Sequence, residues 1–143
     1  MKNIIEIHFN ILNIEDDGYH IQIEAEVNQL PCTLLVDTGA SKTVFDLMFF
    51  TEHFEDFIPL QEDRISVGLG TNSMISHSTV IKTLNIGALN TTNFKTTLLD
   101  LTHVNVSYEK LFLPRIAGVL GGDLLMKHQA VIDYCKQIIT LTF

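Results

Sequence analysis

Basic residues are scarce in this chain. Nine Lys and Arg stand against 17 Asp and Glu, which gives a formal net charge of -8. Phosphate binding depends on clustered Lys and Arg, so this balance argues against a nucleic-acid partner. No apolar run reaches the roughly 20 residues that a membrane helix requires, so no membrane partner is expected either. Residues 1–8 lack a signal peptide's uninterrupted apolar stretch. Cytoplasmic residence is therefore the default expectation, although a chain whose leader had been removed would look the same.

Cysteine is also scarce, and histidine is scattered. The two cysteines, Cys32 and Cys135, have no second Cys or His at metal-binding spacing, so we expect reduced thiols. The six histidines share no tight ligand spacing such as His-x-x-x-His. The sequence therefore predicts no metal and no cofactor. A serine or cysteine triad is poorly supported, because neither Ser41 nor Cys32 has an identifiable base.

Length and composition describe one folded domain over residues 1–143. The apolar fraction of 46% and the charged fraction of 18% are those of an ordinary globular protein. Residues 4–12 alternate between apolar and polar side chains, and residues 19–28 do the same after an Asp-Gly turn signal. This period of two predicts a long antiparallel hairpin. Residues 28–31 are predicted to turn the chain into a strand over residues 32–36.

The stretch Leu-Leu-Val-Asp-Thr-Gly at residues 34–39 is the centre of the sequence. Three apolar residues form a short strand that ends at Asp37, where a lone carboxylate costs several kcal/mol unless it is hydrogen-bonded or partnered. Gly39 permits a sharp turn and the close approach of another backbone or a ligand. A residue placed there for stability alone would not be an acid. The pattern indicates a functional carboxylate.

The remaining chain is predicted to be mainly strand. Residues 43–53 fit a strand or a short helix equally well, and residues 64–77 read as a hairpin with a small, polar tip. Residues 79–86 and 94–101 are predicted strands, whereas residues 103–114 are the least patterned segment. Asp123 is predicted to cap a short helix over residues 124–128, and its capping role is favoured over a catalytic one. Residues 130–143 are predicted to form a closing hairpin.

The loop at Asp37-Thr38-Gly39-Ala40-Ser41 resembles the active-site loop of aspartic proteases of the retropepsin type. Two later features, in the right order, extend the resemblance: the hairpin around Gly68 and an apolar-apolar-Gly element at Val119-Leu120-Gly121. The resemblance implies an all-β, retropepsin-like acid protease barrel with a flap hairpin and one short helix in the C-terminal half. It assigns the residues as follows: catalytic Asp37; active-site loop Thr38, Gly39 and Ala40; flap Val67, Gly68, Leu69, Gly70, Thr71, Asn72 and Ser73; apolar-Gly loop Val119, Leu120 and Gly121. The chain departs from the viral pattern in having fewer glycines at the flap tip, and the element after Leu120 reads Gly-Gly-Asp, without the Arg found in viral enzymes.

Aspartic proteolysis needs two carboxylates that share a proton, and this chain has one Asp-Thr-Gly. The second carboxylate must then come from another copy of the chain, since a two-fold dimer supplies Asp37 twice. The resemblance therefore implies a homodimeric aspartic endopeptidase acting on a peptide or protein. In the family, Thr38 reaches across to the partner's loop.

Two other readings stay open. The chain could be a catalytically silent member of the fold that binds peptides or acts as a scaffold, or a plain β-barrel domain in which the triplet arises by chance. The intact Asp-Thr-Gly favours the enzyme, because a silent copy needs no acid there. A nucleotide loop at Gly68 is not supported, since no third glycine follows at the required spacing. A phosphoryl-accepting aspartate fails because the chain has no room for a large nucleotide-binding domain.

Overall fold

The structure is a computed structural model that describes residues 2–15, 18–55, 60–68 and 71–143, with the backbone alone described for residues 60–68 and 71–75. Its strands are β1 Ile4–His8, β2 Asn10–Asn13, β3 Tyr19–Val27, β4 Leu30–Val36, β5 Val44–Asp46, β6 Leu60–Gly68, β7 Thr71–Ile86, β8 Leu89–Leu99, β9 Gly118–Leu120, β10 Val131–Asp133 and β11 Ile138–Thr142. Its helices are α1 Leu47–His53, α2 Thr102–Lys110 and α3 Gly122–Lys127.

The larger sheet closes into a barrel. Its strands follow one another in the order β2-β3-β4-β9-β5-β8-β7-β6, and β3 pairs in addition with β7. This extra pairing, Glu26 with Asn85 and Val27 with Leu84, joins β3, β4, β9, β5, β8 and β7 in a ring. Asn28 reinforces the closure, because its backbone N–H donates to the Thr83 carbonyl at 2.8 Å. The all-β barrel predicted from the sequence is confirmed.

Side chains on the two faces of the barrel strands enter two separate apolar clusters. The period-two residues of β3 and β4, such as Ile21, Ile23, Leu34 and Val36, point into the main core. The opposite face is covered by α2, and the buried residues there form what we call the second cluster: Ile14, Val44, Leu99, Leu101, Tyr108, Ile116 and Val119. The strand that leads into residue 37 is therefore buried on its core face and half-buried, at Leu35, against the second cluster.

The chain ends form a small sheet of their own. β11 lies between β1 and β10 and is antiparallel to both. The backbones of Asn3 and Phe143 exchange hydrogen bonds of 2.7 and 2.9 Å. The closing hairpin predicted over residues 130–143 is present, and both terminal segments are paired within the one chain.

Several local features differ from the sequence-based expectations. The turn after β3 contains only Asn28 and Gln29, both with positive φ, so that Pro31 lies inside β4. Proline is tolerated there because it sits near the start of the strand. Residues 44–53 form both the strand and the helix that were left as alternatives. The short helix predicted in the C-terminal half is α3, and the unpatterned segment contains α2 as well. None of the helices in the described ranges has both the length and the apolar character needed to cross a membrane.

Candidate active site

Asp37 stands where β4 gives way to a tight loop. Its backbone N–H donates to the Leu120 carbonyl at 3.0 Å, which fixes the end of the strand. Its carboxylate Oδ1 accepts the Gly39 backbone N–H at 2.8 Å, and the Ala40 N–H donates to its carbonyl at 3.2 Å. The side chain of Asp37 is partly buried, whereas Thr38 and Gly39 are exposed. The carboxyl group is therefore held in place by backbone and still open to a water or a ligand.

Strand β9 passes between the two strands that border this loop. Leu35 of β4 pairs in parallel with Val119, and Val44 of β5 pairs with the same residue in antiparallel fashion. The residues between β4 and β5 thus form a loop through which the chain continues into α3. Immediately beyond β9, the Gly122 N–H donates to the Ala40 carbonyl at 2.7 Å. This is the arrangement that the resemblance implied for the apolar-Gly element.

Gly121 is required at this crossing because two backbones come into contact. A Cβ at residue 121 would lie 2.6 Å from the Lys42 carbonyl oxygen and 2.8 Å from that of Ala40. Contacts below 3.0 Å are essentially never made by real Cβ atoms. Neither neighbour is a flexible side chain that could move aside, so the loop geometry depends on this glycine.

Hydrogen bonds between the buried Thr43 and the exposed Asp123 hold the far end of the loop in place. The Thr43 hydroxyl donates to Asp123 Oδ1 at 2.7 Å and its backbone N–H donates to the same oxygen at 2.8 Å. The hydroxyl also accepts the Gly121 N–H at 3.0 Å. The expectation that Asp123 caps the helix needs correction, because the N-cap of α3 is Gly121 and Asp123 lies in the first turn. Its carboxylate binds the loop instead, a long-range contact that the local pattern could not reveal.

The predicted flap falls partly within the described residues. Val67 and Gly68 belong to β6, and residues 71–73 belong to β7, with Gly68 paired to Thr71. Leu69 and Gly70 lie outside the described residues. The hairpin itself is present, while the flap role of these residues stays a prediction.

Sequence reasoning missed two residues close to Asp37. Nδ1 of His20, on β3, lies 2.6 Å from the hydroxyl oxygen of Tyr108, on α2. Burial, followed by the negative charge of Asp37, raises the pKa of Tyr108 to about 12. Tyr108 was hidden because it belongs to the segment with no clear pattern. His20 was one of six scattered histidines, and only the strand register brings it to the site.

The described residues contain no group of three or more His, Cys, Asp or Glu side chains that could hold a metal ion. What the site offers is a carboxylate at a backbone-fixed turn. A closed barrel in which an Asp-Thr-Gly loop is crossed by an apolar-Gly strand is the architecture of the single-domain acid proteases.

Sequence comparison leads to the same class. A family model described as aspartyl protease matches residues 23–124, and the chain belongs to this family. The matched range runs from β3 through the Asp37 loop and β9 into α3. A search of curated proteins finds no match.

Solved structures with the same fold come from bacterial, viral and protozoan sources. A retropepsin-like aspartic protease from Rickettsia conorii superposes with a TM-score of 0.62 at 22% identity, over 100% of this chain and 92% of the other. The EIAV protease complexed with the inhibitor HBY-793 gives 0.56 at 19% identity, over 78% and 90%. The retroviral protease-like domain of Ddi1 from Leishmania major gives 0.56 at 15% identity, over 84% and 86%. The fold is retropepsin-like.

Proposed function

We propose that this chain is an aspartic endopeptidase whose active form is a homodimer, with Asp37 of each copy supplying one of the two catalytic carboxylates. The observation that carries the proposal is the Asp37 loop itself. It presents a partly exposed carboxylate whose position is fixed by hydrogen bonds to the backbone. Membership of the aspartyl protease family supports the same chemistry.

The mechanism follows from the behaviour of two neighbouring carboxyl groups. Two acids a few Å apart cannot both ionise cheaply, so the pair holds one proton and titrates as a unit. The ionised member takes a proton from a bound water, which attacks the scissile carbonyl carbon. The protonated member donates a hydrogen bond to the carbonyl oxygen. Proton transfer to the departing nitrogen then completes the cleavage.

The other assigned residues receive supporting roles in this proposal. Thr38 braces the partner's loop in this proposal, and its exposure in the single chain is consistent with that role. The hairpin of β6 and β7 acts as the flap over an extended peptide, whose backbone can pair with strand edges. Gly121 and Thr43 keep the loop in the geometry that the two carboxylates need.

The decisive experiment compares the wild type with Asp37→Asn on a peptide library and on a denatured protein substrate. We expect the wild type to cleave at mildly acidic to near-neutral pH and to be blocked by a statine-type inhibitor. Asp37→Asn should lose cleavage by at least about a thousandfold, since the amide cannot take a proton from water. Light scattering across a dilution series should give the mass of a dimer for both proteins.

Asp133→Asn is the matched control, because Asp133 accepts a backbone N–H from Lys136 in a turn far along the chain from the loop. An Asn there keeps the acceptor oxygen, so activity should not change. Equal activity of the wild type and Asp37→Asn would contradict the proposal. So would a monomeric mass at concentrations where the enzyme is active, or a pH–rate profile that peaks only below about pH 3. Intact folding with no cleavage of any substrate would favour the silent, peptide-binding reading.

A further inference from the structure

His20 and Asp37 are the residues next to the last pair between β3 and β4. Ile21 pairs with Val36 in this antiparallel hairpin, and the pairing ends there. If the same register continues by one residue, His20 is opposite Asp37. Side chains directly opposite in an antiparallel pair share a face, with Cβ atoms about 5 Å apart. Leu35, two residues before Asp37, packs on the second cluster, so this shared face is the one that α2 covers.

Tyr108 fixes the imidazole ring of His20 from the helix side. The hydroxyl oxygen of Tyr108 is 2.6 Å from Nδ1 of His20, and the two ring centroids are 5.9 Å apart. Tyr108 is only 2% exposed and belongs to the second cluster, against which Ala40 of the Asp37 loop also packs. The His–Tyr pair therefore occupies an apolar region bordered by the proposed active-site loop.

This hydrogen bond can persist in both protonation states of the histidine. A neutral ring accepts the Tyr108 O–H at Nδ1, and a protonated ring donates its Nδ1–H to the same oxygen. Burial and the nearby charge of Asp37 raise the pKa of Tyr108 to about 12, which keeps the phenol neutral at any pH where carboxyl chemistry operates. The Tyr108 hydroxyl therefore holds the His20 ring in place whether that ring is neutral or protonated.

We infer that His20, held in place by Tyr108, is a positioning residue for the Asp37 carboxylates and that its positive charge extends cleavage to lower pH. The inference rests on the proposed function. Among the described residues, the register and the contacts place Tyr108 of α2, Leu12 of β2 and Asp37, which follows β4, around His20, and only Asp37 is charged in this set. Histidine changes charge between about pH 5 and pH 8, and a cation beside the pair favours its ionised form.

The test is the pH profile of kcat/KM for His20→Gln and Tyr108→Phe. Without the histidine cation, removing a proton from the pair of Asp37 carboxyl groups costs more free energy. The acid limb of the His20→Gln profile should therefore move to higher pH, by about half a pH unit to one pH unit. Tyr108→Phe keeps the ring but frees the imidazole, and should move the limb the same way by less. His8→Gln and Tyr134→Phe are matched controls on exposed residues, and their profiles should superpose on the wild type.

Two results would overturn the inference while leaving the proposed function intact: a His20→Gln profile that superposes on an active wild type, or an equal shift in the two control variants. A wild type that cleaves nothing contradicts the proposed function instead. In that case, or if His20→Gln fails to fold, the NMR chemical shifts of the His20 ring in the wild type and in Asp37→Asn still decide the contact. The ring resonances should move when the carboxylate is removed, and unchanged resonances reject the pairing.

Discussion

At the scale of single residues, Asp46 is a buried acid outside the Asp37 loop whose carboxylate requires hydrogen-bond donors. It is 0% exposed at the end of β5, yet its carboxylate is well supplied with donors. Oδ1 accepts the backbone N–H groups of Met48 at 3.2 Å and Leu101 at 3.1 Å. Oδ2 lies 3.3 Å from the Arg115 guanidinium, which also pairs with Glu52 at 2.8 Å. The carboxylates of Glu52 and Asp46 raise the pKa of Arg115. One buried acid thereby ties β5, the start of α1 and the entry to α2 together.

We expect Asp46→Ala to lower the free energy of unfolding by about 2–4 kcal/mol, because it leaves the backbone N–H groups of Met48 and Leu101 without their buried acceptor. Urea denaturation measures this loss. Glu52→Gln is the control, since Glu52 binds the same arginine at the surface and should cost at most about 1 kcal/mol. A loss below about 1 kcal/mol for Asp46→Ala would show that the buried contacts contribute little.

At the scale of elements, the strands were predictable from the sequence, whereas helix α2 and its packing on the second cluster were not. Alternation in β1 and β3 is a local signal, because one face of each meets the main core. In α2, by contrast, the side chains of Leu101, Val104 and Tyr108, which pack in or against the second cluster, do have helical spacing, but the exposed Val106 between them imitates the alternation of a strand. The helix is stabilised by burial of Tyr108 in the second cluster, and the local pattern was too ambiguous to indicate that contact.

An error of two residues in the predicted length of the turn after β3 changes which residue is expected opposite Asp37. A four-residue turn over residues 28–31 would pair Val27 with Cys32 and place Gln22 across from Asp37. The observed two-residue turn pairs Val27 with Leu30 and brings His20 there instead. The turn uses positive φ at Asn28 and Gln29 without a glycine, so its usual signal was missing. Motif residues could be found from the sequence, whereas their spatial neighbours depended on register.

The crossing of β9 through the Asp37 loop supplies the prediction at this scale. Gly121→Ala should destabilise the fold by several kcal/mol and reduce any cleavage, because the new Cβ would press on two carbonyl oxygens of the loop. Gly122→Ala is the adjacent control, where a Cβ would lie 3.4 Å from the Ala40 carbonyl oxygen, an ordinary contact at the start of α3. Thermal unfolding of both variants measures the difference. Equal melting temperatures would mean that the loop backbone can move aside to accommodate a Cβ at residue 121.

At the scale of the whole molecule, the terminal strands bear on how two copies could meet. β1 and β10 already pair with β11 of the same chain, and Asn3 and Phe143 exchange backbone hydrogen bonds. A dimer that interleaved these ends between two copies would first have to break those bonds. We therefore expect the two copies of the proposed dimer to make contact through the surface around the Asp37 loop, where Thr38 is exposed.

The whole fold also responds to alkaline pH through Cys32. Burial, together with the charges of Glu24 and Glu26, raises the pKa of this thiol from 9.0 to about 12. Below pH 9 the folded and unfolded chains both hold the proton, so the stabilisation is fully present. Between pH 9 and 12 the unfolded chain loses the proton first, and stability must fall as the pH rises, by at most about 1.4 kcal/mol per pH unit for this one group.

Urea denaturation of Cys32→Ala and the wild type at several pH values between about 8 and about 11 tests this linkage. The decline of the free energy of unfolding should be shallower in Cys32→Ala, and part of it should remain because the pKa of Tyr108 is raised as well. Cys135 is exposed, so Cys135→Ala should follow the wild-type slope. Parallel slopes for all three proteins would show that the Cys32 thiol ionises as readily in the folded chain as in the unfolded one, and that β4 is more open to water than its packing indicates.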